Sequence, residues 1–518
     1  MPDSEVGHDR GVAGVVRLRR AIDSQLRSAQ TRDGGSGWCG MDAAGRLEGL
    51  SALVREELAR TAHPAKEWMR PRVGPDGAHV LDVLIAGAGQ GGLTVAHALR
   101  RARVDNILVI DRAPEGGEGC WVQYARMPTL RSPKEFTGPD LGTPSLTYQA
   151  WHEAVFGAAS WQGLHRIRTG DWAAYLLWYR RVLDLPVRNE CALSGIAPGP
   201  DGLLELTLAT PAGAERVLAR KLVLATGQDG TGAWHMPDFV AALPPAHRAR
   251  AADAIDFAAL RGKDVAVLGQ GASAADNAAM ALEAGARSVT MFVRRAALQR
   301  VQPFLWLTFA GFLRHIGEMD DAWRWRFMNR ILSLREAFPQ ETYDRMRRWP
   351  NFSIRLGAGW TGAEMRAGRV RLETAAGPAE ADFLICGTGV EIDFARRAEL
   401  AALAPQIATW ADCYTPPAGE ENARLGRFPY LGPDAALREK VPGTAPHLRH
   451  IHDFTIGTTM SFGPFGCSIN ALNIAAPRLA HGITRALFGE DIAAHWASLD
   501  AYAEPIFTPD PSDRGDGG

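Results

Sequence analysis

Two glycine-rich turns, each set between an apolar strand pattern and an amphipathic helix pattern, constrain the fold of this 518-residue chain more than any other feature. The first lies in HVLDVLIAGAGQGGLTVAHALRRARVDNILVIDRA, from residue 79, and the second in KDVAVLGQGASAADNAAMALEAGARSVTMFVRRA, from residue 263. Each has the order strand, turn, helix and strand, which is the βαβ unit of a doubly wound sheet. The sequence therefore predicts an α/β protein with two Rossmann-like dinucleotide-binding domains.

The first turn has the G-x-G-x-x-G spacing, with Gly87, Gly89 and Gly92. Glycine at these positions allows a tight turn, exposes bare backbone to a pyrophosphate and lets helix and strand pack closely. Asp111 ends the next strand, nineteen residues beyond Gly92, where a carboxylate can accept hydrogen bonds from both ribose hydroxyls. Such a carboxylate favours a ribose with a free 2′-hydroxyl, as in FAD or NAD. The alternative to a nucleotide-binding site is an ordinary tight turn in the sheet.

The second turn has G-x-G-x-x-A spacing, with Gly269, Gly271 and Ala274, and ends its next strand on Arg294 and Arg295. Two guanidinium groups suit a 2′-phosphate, which they bind through charge-assisted hydrogen bonds. The sequence therefore predicts NADPH rather than NADH at this site. The alternative is a solvated strand end, where charged residues are common.

Two further apolar strands, KLVLATGQDG (221–230) and DFLICGTGVEID (382–393), end in T-G and predict where the chain passes between the domains. We expect a FAD domain in two segments with an NADPH domain inserted between them, preceded by a helical or partly disordered extension. The expected divisions are an extension at 1–78, FAD-domain segments at 79–262 and 382–490, an NADPH domain at 263–381 with a helical insertion at 301–350, and a tail at 491–518.

Composition excludes several classes of protein. Lys plus Arg (57) nearly equals Asp plus Glu (58), which argues against a nucleic-acid partner. The longest apolar run, FLWLTFAGFL (304–313), is half the ~20 residues of a membrane-spanning helix. The polar N-terminus indicates no signal peptide, so we expect a cytoplasmic location. The six cysteines form no C-x-x-C pair, so we expect buried, inert thiols and no metal site.

Further motifs follow the first glycine turn in a fixed order: GEGCW ending at Trp121, TLRSPKEF, LATGQDG, LRGKDVAVLGQGASA and CGTG. With GAGQGG, they make residues 79–490 resemble the flavoprotein monooxygenases that use FAD and NADPH in one polypeptide, including flavin-containing, N-hydroxylating and Baeyer–Villiger types. The resemblance implies that one oxygen atom of O₂ enters a small organic substrate through a flavin C4a-(hydro)peroxide.

The same resemblance implies two catalytic residues. Trp121 would cover the flavin ring, although core packing is nearly as good an explanation. Arg131 occupies the position at which many flavin-containing monooxygenases have an asparagine, and Arg250 stands where the histidine of the F-x-G-x-x-x-H fingerprint belongs. Asn470 is expected either to contact the flavin or to cap a helix. We assign the other cofactor-binding positions to Arg112, Lys134, Gly227, Ser273 and Gly389.

The sequence leaves the reaction and the substrate open. The main alternative is an NADPH:acceptor flavin oxidoreductase or oxidase that inserts no oxygen, and a flavin-binding sensor is a further one. The segment GPDLGTPSLTYQAWHE resembles FAD-dependent urate hydroxylases, which makes urate one candidate. The aromatic stretch at 301–332 is either an insertion packed on the domain body, a substrate-access region or a membrane-surface contact. A homo-oligomer is possible.

Overall fold

A computed structural model describes residues 42–466, 468–508 and 510. The first part of the predicted 1–78 extension, Cys39, Cys467 and the end of the 491–518 tail lie outside the described residues.

The strands and helices are numbered in chain order. The strands are β1 (Val80–Ala86), β2 (Ile107–Ile110), β3 (Val187–Arg188), β4 (Ala192–Pro198), β5 (Leu204–Thr210), β6 (Gly213–Leu224), β7 (Gly232–Trp234), β8 (Arg248–Arg250), β9 (Asp264–Leu268), β10 (Ser288–Val293), β11 (Phe352–Leu356), β12 (Trp360–Arg366), β13 (Arg369–Thr374), β14 (Ala379–Ala381), β15 (Phe383–Cys386), β16 (Val390–Ile392) and β17 (Ile451–Asp453). The α-helices are α1 (Ala43–Arg60), α2 (Gln90–Arg101), α3 (Tyr148–Phe156), α4 (Ala158–Gly163), α5 (Thr169–Val182), α6 (Asp238–Ala241), α7 (Ala272–Glu283), α8 (Pro303–Trp306), α9 (Ala310–His315), α10 (Asp321–Leu334), α11 (Gln340–Arg347), α12 (Trp410–Cys413), α13 (Ala423–Gly426), α14 (Thr459–Phe462), α15 (Leu472–Glu490) and α16 (Ile492–Asp500).

The first large sheet combines a parallel and an antiparallel part. Its order is β3-β2-β1-β6-β5-β4, and β17 also pairs with β6. Strands β3, β2, β1, β6 and β17 are parallel, whereas β4 and β5 form an antiparallel meander with the first half of β6. All seven residues of β1 are buried, as expected for a parallel strand covered on both faces. The glycine turn after β1 therefore lies at the carboxyl edge of this sheet.

The second large sheet is wholly parallel in the order β11-β10-β9-β15-β8. Helix α7 connects β9 to β10, and a smaller antiparallel sheet of β12, β13 and β14 follows β11. The two βαβ units predicted from the sequence are thus both present. Together with the helical region before β1, they confirm the α/β prediction of two Rossmann-like domains.

The two segments that join the large sheets pair with each other. Strand β7 follows β6 on the way out of the first sheet, and β16 follows β15 on the way back. They form an antiparallel ribbon in which Gly232 lies opposite Ile392. A Cβ on Gly232 would lie 1.9 Å from the carbonyl oxygen of Glu391, so only glycine allows this approach. The chain therefore leaves and re-enters the first sheet at one place.

Helices α8 to α11 lie between β10 and β11, but most of them pack on the first sheet's side of the molecule. Phe312, Trp325 and Met328 belong to the same apolar core as β1, whereas Met346 on α11 belongs to the core of the second sheet. Trp306 and Phe309 are exposed, with 57% and 48% of their surface accessible. The insertion thus bridges the two parts of the molecule and leaves an aromatic surface in solvent.

The described part of the N-terminal extension is dominated by α1, which packs on the main body. Val54 on α1 is fully buried, and the Arg46 Nε donates to the carbonyl oxygen of Ala154 at 2.9 Å. The indole nitrogen of Trp178 donates to the Ser51 hydroxyl at 3.0 Å. A search of the described residues found no helix with the length and hydropathy needed to span a membrane.

Candidate functional site

The first glycine turn is tightly closed. Gly87 has φ +109°, and a Cβ on Gly92 would lie 1.8 Å from the Gly87 carbonyl oxygen. A Cβ on Gly89, which precedes α2, would lie 3.4 Å from the Cα of Gly119. The loop that contains GEGCW therefore lies directly against the turn, and Gly119 itself has φ +72°. Backbone without side chains thus faces the start of α2, as a dinucleotide pyrophosphate requires.

Asp111 is almost fully buried beside this turn. Its Oδ2 accepts a hydrogen bond from the Ala88 N–H and its Oδ1 from the Ala113 N–H, both at 2.8 Å. Burial raises the pKa of Asp111, and these two hydrogen bonds act against that rise. A carboxylate has about four acceptor sites. Asp111 thus fixes the glycine turn to the end of β2 and retains capacity for the predicted ribose contacts.

Three buried polar atoms lie without a hydrogen-bond partner at the carboxyl edge of the first sheet. They are Thr226 Oγ1 and Thr231 Oγ1, which follow β6, and Asp453 Oδ2, at the end of β17. A Cβ on Gly87 would lie 2.4 Å from the oxygen of Ala225, so this edge adjoins the glycine turn. Because buried polar groups are normally paired, these atoms fit a hydroxyl-rich dinucleotide such as FAD.

Asp453→Asn is expected to stabilise the FAD-free protein above pH 6. Burial raises the pKa of the fully buried Asp453 to about 6 from 3.8, so folding loses free energy as the pH rises through that interval. The loss amounts to about 3 kcal/mol at most. Urea unfolding at pH 4 and pH 8 checks this. The variant should gain stability at pH 8 and little at pH 4, and an equal gain at both values would contradict the titration of Asp453.

The second glycine turn is more open than the first. Gly269 has φ +119°, and a Cβ there would lie 2.4 Å from the oxygen of Gly387. A Cβ on Gly271 would meet nothing within 4 Å, so its backbone is open at the start of α7. Ala274 is fully buried, and its Cβ lies 3.6 Å from the Cβ position of Gly269. The Ala274 methyl group thus fits at the third position of this turn, where the first turn admits only glycine. The open backbone at Gly271 fits the pyrophosphate of NADPH.

Arg294 and Arg295 follow β10 and are both exposed, but their surroundings differ. The Arg295 guanidinium donates to the carbonyl oxygen of Ser333 at 2.7 Å and to that of Leu334 at 3.0 Å. No hydrogen bond or ion pair of the Arg294 side chain occurs within the described residues. Ser273, in the first turn of α7, is also exposed. The two arginines therefore have different roles in the folded chain.

Arg131 connects the two nucleotide-binding parts. Its guanidinium contacts the carboxylate of Asp276 on α7 at 2.5 Å, and the Arg131 side chain is 31% exposed whereas that of Asp276 is 2% exposed. Burial raises the pKa of Asp276, and the charge of Arg131 opposes that rise. Arg166 donates to the Arg131 carbonyl oxygen at 2.6 Å. The loop that carries the predicted catalytic residue Arg131 is thus held by the helix that follows the second glycine turn.

Glu336, in the segment that follows α10, lies close enough to Arg131 for the two charges to interact. Its side chain is exposed to solvent, yet burial by the surrounding chain raises its pKa, against the charges of Arg131 and Arg335. Within the described residues the Glu336 carboxylate forms no hydrogen bond. The Glu336 carboxylate and the Arg131 guanidinium therefore place a hydrogen-bond acceptor and a hydrogen-bond donor near each other.

Asn470 and Trp121, both predicted to contact the flavin, each contact a segment that is distant in sequence. The Ser132 hydroxyl donates to Asn470 Oδ1 at 2.8 Å, which joins the TLRSPKEF loop to the turn before α15. Trp121 packs edge-on against Trp172 with ring centroids 6.4 Å apart, and Trp172 Nε1 donates to Gln90 Oε1 at 3.3 Å. Trp121 thus lies beside the start of α2 and also contacts the core.

The other assigned cofactor-binding residues have separate surroundings. Lys134 Nζ donates to the Trp161 carbonyl oxygen at 2.7 Å and lies 4.8 Å from its ring centroid. Arg112 is exposed at the end of β2. Gly227 and Gly389, with φ +88° and +82°, have open space at their Cβ positions. Both glycines follow strands that end at a carboxyl edge.

The described cysteines are free thiols. Burial raises the pKa values of Cys120 and Cys386 to about 12 each, so neither is an effective nucleophile at neutral pH. Among the described residues, no group of three or more His, Cys, Asp or Glu side chains is arranged to hold a metal ion.

Sequence reasoning missed four candidate functional residues: Asp276, Arg335, Glu336 and Asp453. Asp453 had a readable signal, since it follows the buried Ile451 and His452 at the end of a short apolar strand. Asp276 lies in the alanine-rich pattern of α7, where a buried carboxylate is unexpected. Arg335 and Glu336 follow a helix in an insertion, and their position depends on its packing.

The chain is similar in sequence to a known flavoprotein. The chain is 42% identical over 458 residues to an FAD-dependent urate hydroxylase of Xanthomonas campestris pv. campestris, and the match covers 88% of this chain and 95% of that protein. Residues 84–309 also match the sequence profile of the pyridine nucleotide-disulphide oxidoreductase family. The first match covers both glycine turns and the helical insertion between β10 and β11.

Solved structures with low sequence identity have the same fold. The reduced form of an ornithine hydroxylase from Pseudomonas aeruginosa matches with a TM-score of 0.61, 17% identity, and coverage of 79% of this chain and all of that one. An L-lysine 6-monooxygenase from Pseudomonas syringae matches with a TM-score of 0.60 and 19% identity, covering 78% of this chain and 99% of that one. A bacillithiol disulfide reductase from Bacillus cereus gives 0.52 at 15% identity, with coverages of 79% and 100%.

Proposed function

Because the chain belongs to the FAD- and NADPH-dependent flavoprotein monooxygenases, we propose that it hydroxylates urate or a closely related oxidised purine. The observation that supports this substrate class is the 42% identity to a urate hydroxylase across 88% of the chain. The overall reaction consumes the purine, O₂, NADPH and a proton, and releases the hydroxylated purine, NADP⁺ and water. The proposal includes a cytoplasmic location, which the free thiols support, and leaves a homo-oligomer possible.

The residues of the first sheet would hold FAD, and those of the second NADPH. Bound FAD supplies hydride acceptance and oxygen activation, chemistry that no side chain offers. Gly87, Gly89 and Gly92 would admit its pyrophosphate, and Asp111 and Asp453 would accept hydrogen bonds from its hydroxyl groups. Gly269 and Gly271 would admit the NADPH pyrophosphate at the start of α7.

The Glu336 carboxylate and the Arg131 guanidinium would offer a purine complementary groups. Urate is a planar ring with neighbouring N–H donors and carbonyl acceptors, which suit a carboxylate and a guanidinium respectively. Glu336 and Arg131 present these groups, and the Asp276 carboxylate fixes the Arg131 guanidinium at 2.5 Å. The raised pKa of Glu336 suits it to exchange a proton with a ring N–H. In this proposal Arg131 orients the substrate, and Trp121 excludes water from one side.

Purified protein reconstituted with FAD is expected to consume urate only with NADPH and O₂ present. Urate loss, NADPH oxidation and O₂ uptake should match one to one, and ¹⁸O from ¹⁸O₂ should appear in the product. Xanthine is the control substrate, because it differs from urate only in lacking the C8 carbonyl group. NADPH oxidation with H₂O₂ release and no urate loss would contradict oxygen insertion and favour an oxidase, whereas reduction of an added quinone alone would favour an NADPH:acceptor oxidoreductase.

A further inference from the structure

Two arginines from outside α10 hold its last turn. The Arg295 guanidinium donates to the carbonyl oxygens of Ser333 and Leu334, and the Arg424 Nη2 donates to that of Leu332 at 3.4 Å. The final carbonyl groups of a helix have no partner within it, and positive charge is favourable there. Arg295 and Arg424 therefore have a structural role that explains their positions.

Arg294 and Arg335 lie at the same helix end, yet no such role explains them. Both side chains are exposed, and neither forms a hydrogen bond or ion pair within the described residues. Although water reaches the Arg335 side chain, the protein packed around it and then the charges of Arg294 and Arg295 lower its pKa, and the neighbouring Glu336 opposes them only in part. Positive charges gathered in this way repel each other unless an anion binds between them.

The backbone of Arg335 is strained as well. Its φ of 66° and ψ of 163° fall in a region occupied almost only by glycine. Any residue other than glycine is strained in this conformation, and such residues concentrate at ligand sites. Glycine would serve better at this turn if the turn alone mattered. The arginine side chain is therefore the feature that needs a functional explanation.

We propose that Arg335, together with Arg294, binds the 2′-phosphate of NADPH, and that Arg295 and Arg424 are positioning residues that hold α10 beside it. This inference rests on the proposed function, because it deepens its NADPH site. Arg294 follows β10, and in Rossmann-like domains the adenosine ribose lies at the end of that strand. A phosphate dianion accepts bidentate hydrogen bonds from two guanidinium groups, which matches the pair left without partners.

The test measures binding of NADP⁺ and NAD⁺ to the FAD-loaded full-length protein by calorimetry at one salt concentration. Arg335→Ala is expected to weaken NADP⁺ binding about ten- to hundredfold and to leave NAD⁺ binding within about twofold. Arg335→Gly should give the same loss of NADP⁺ affinity with an unfolding temperature equal to or above that of the wild type, because glycine relieves the strain. Arg330→Ala, an exposed arginine on α10, is the control and should change neither affinity.

The roles of Arg335 and Arg295 are separated by lysine substitutions. Arg295→Lys should keep the preference for NADP⁺, since an ammonium can still donate to the helix-end carbonyls, whereas Arg335→Lys should lose most of it. Unchanged NADP⁺ affinity in both Arg335→Ala and Arg335→Gly, with a wild type that prefers NADP⁺, would overturn this inference alone. A wild type that binds neither nucleotide would overturn the proposed function and this inference together.

Discussion

Gly92→Ala is expected to purify without its yellow colour, with an FAD affinity at least about tenfold below that of the wild type, or about 1.4 kcal/mol. The added Cβ would lie 1.8 Å from the Gly87 carbonyl oxygen, and no side chain can move to relieve this contact because both atoms belong to one tight turn. The turn must open, and the backbone that faces the pyrophosphate moves with it. Flavin absorbance per mole of protein and FAD titration of the apo-protein measure the effect.

Two further variants test the same FAD site if Gly92→Ala folds poorly. Gly89→Ala places its Cβ 3.4 Å from the Gly119 Cα, an ordinary contact, so it should fold and still lose FAD affinity. Gly163→Ala, at the end of α4 with nothing within 4 Å, should bind FAD as the wild type does. Full flavin content in both Gly92→Ala and Gly89→Ala would mean that FAD does not bind at this turn.

Arg131→Ala is expected to lower the free energy of unfolding by about 3–5 kcal/mol at pH 7, because it leaves the Asp276 carboxylate buried without its charged partner. The pKa of Asp276 is already raised from 3.8 by burial, and loss of Arg131 raises it further. A raised carboxyl pKa costs stability once the pH exceeds 3.8, so the difference from the wild type should shrink as the pH falls toward that value. Urea unfolding across this pH range measures it.

The double variant Arg131→Ala/Asp276→Asn separates stability from catalysis. Removing the buried charge should restore most of the lost stability, while NADPH-dependent urate hydroxylation should stay at least about tenfold below wild type, or about 1.4 kcal/mol in activation free energy. Arg55→Ala removes an exposed arginine paired with Glu48 and should change stability by less than about 1 kcal/mol. Recovery of full activity in the double variant would show that Arg131 only supports the fold.

The fold was predictable because its determinants are local. The apolar run of β1, the glycine at position 87 with φ +109° and the helical periodicity of α2 all act within a few residues of each other. The same holds for β9, α7 and β10. Each glycine turn fixes a strand-to-helix direction, and two such units determine two parallel sheets.

The contacts between the two nucleotide-binding parts were not predictable, because they join residues far apart in sequence. Arg131 and Asp276 are 145 residues apart, and no period or spacing relates them. The sequence around Arg295 is typical of a phosphate-binding arginine. Its guanidinium instead donates to the carbonyl oxygen of Ser333, which lies 38 residues later at the end of a helix. The strain at Arg335 depends on how α10 ends, which composition does not reveal. Such pairings follow only from how the insertion packs between the sheets.

The ribbon formed by β7 and β16 has a consequence for how this architecture changes over evolutionary time. Because Gly232 and Ile392 lie side by side, everything between them begins and ends at one point on the host sheet. Segments with adjacent ends can be transplanted without threading the rest of the chain. Recombination could therefore exchange the coenzyme specificity of such an enzyme as a cassette, provided that the helices packed on the host core, such as α9 and α10, are matched to their new surroundings.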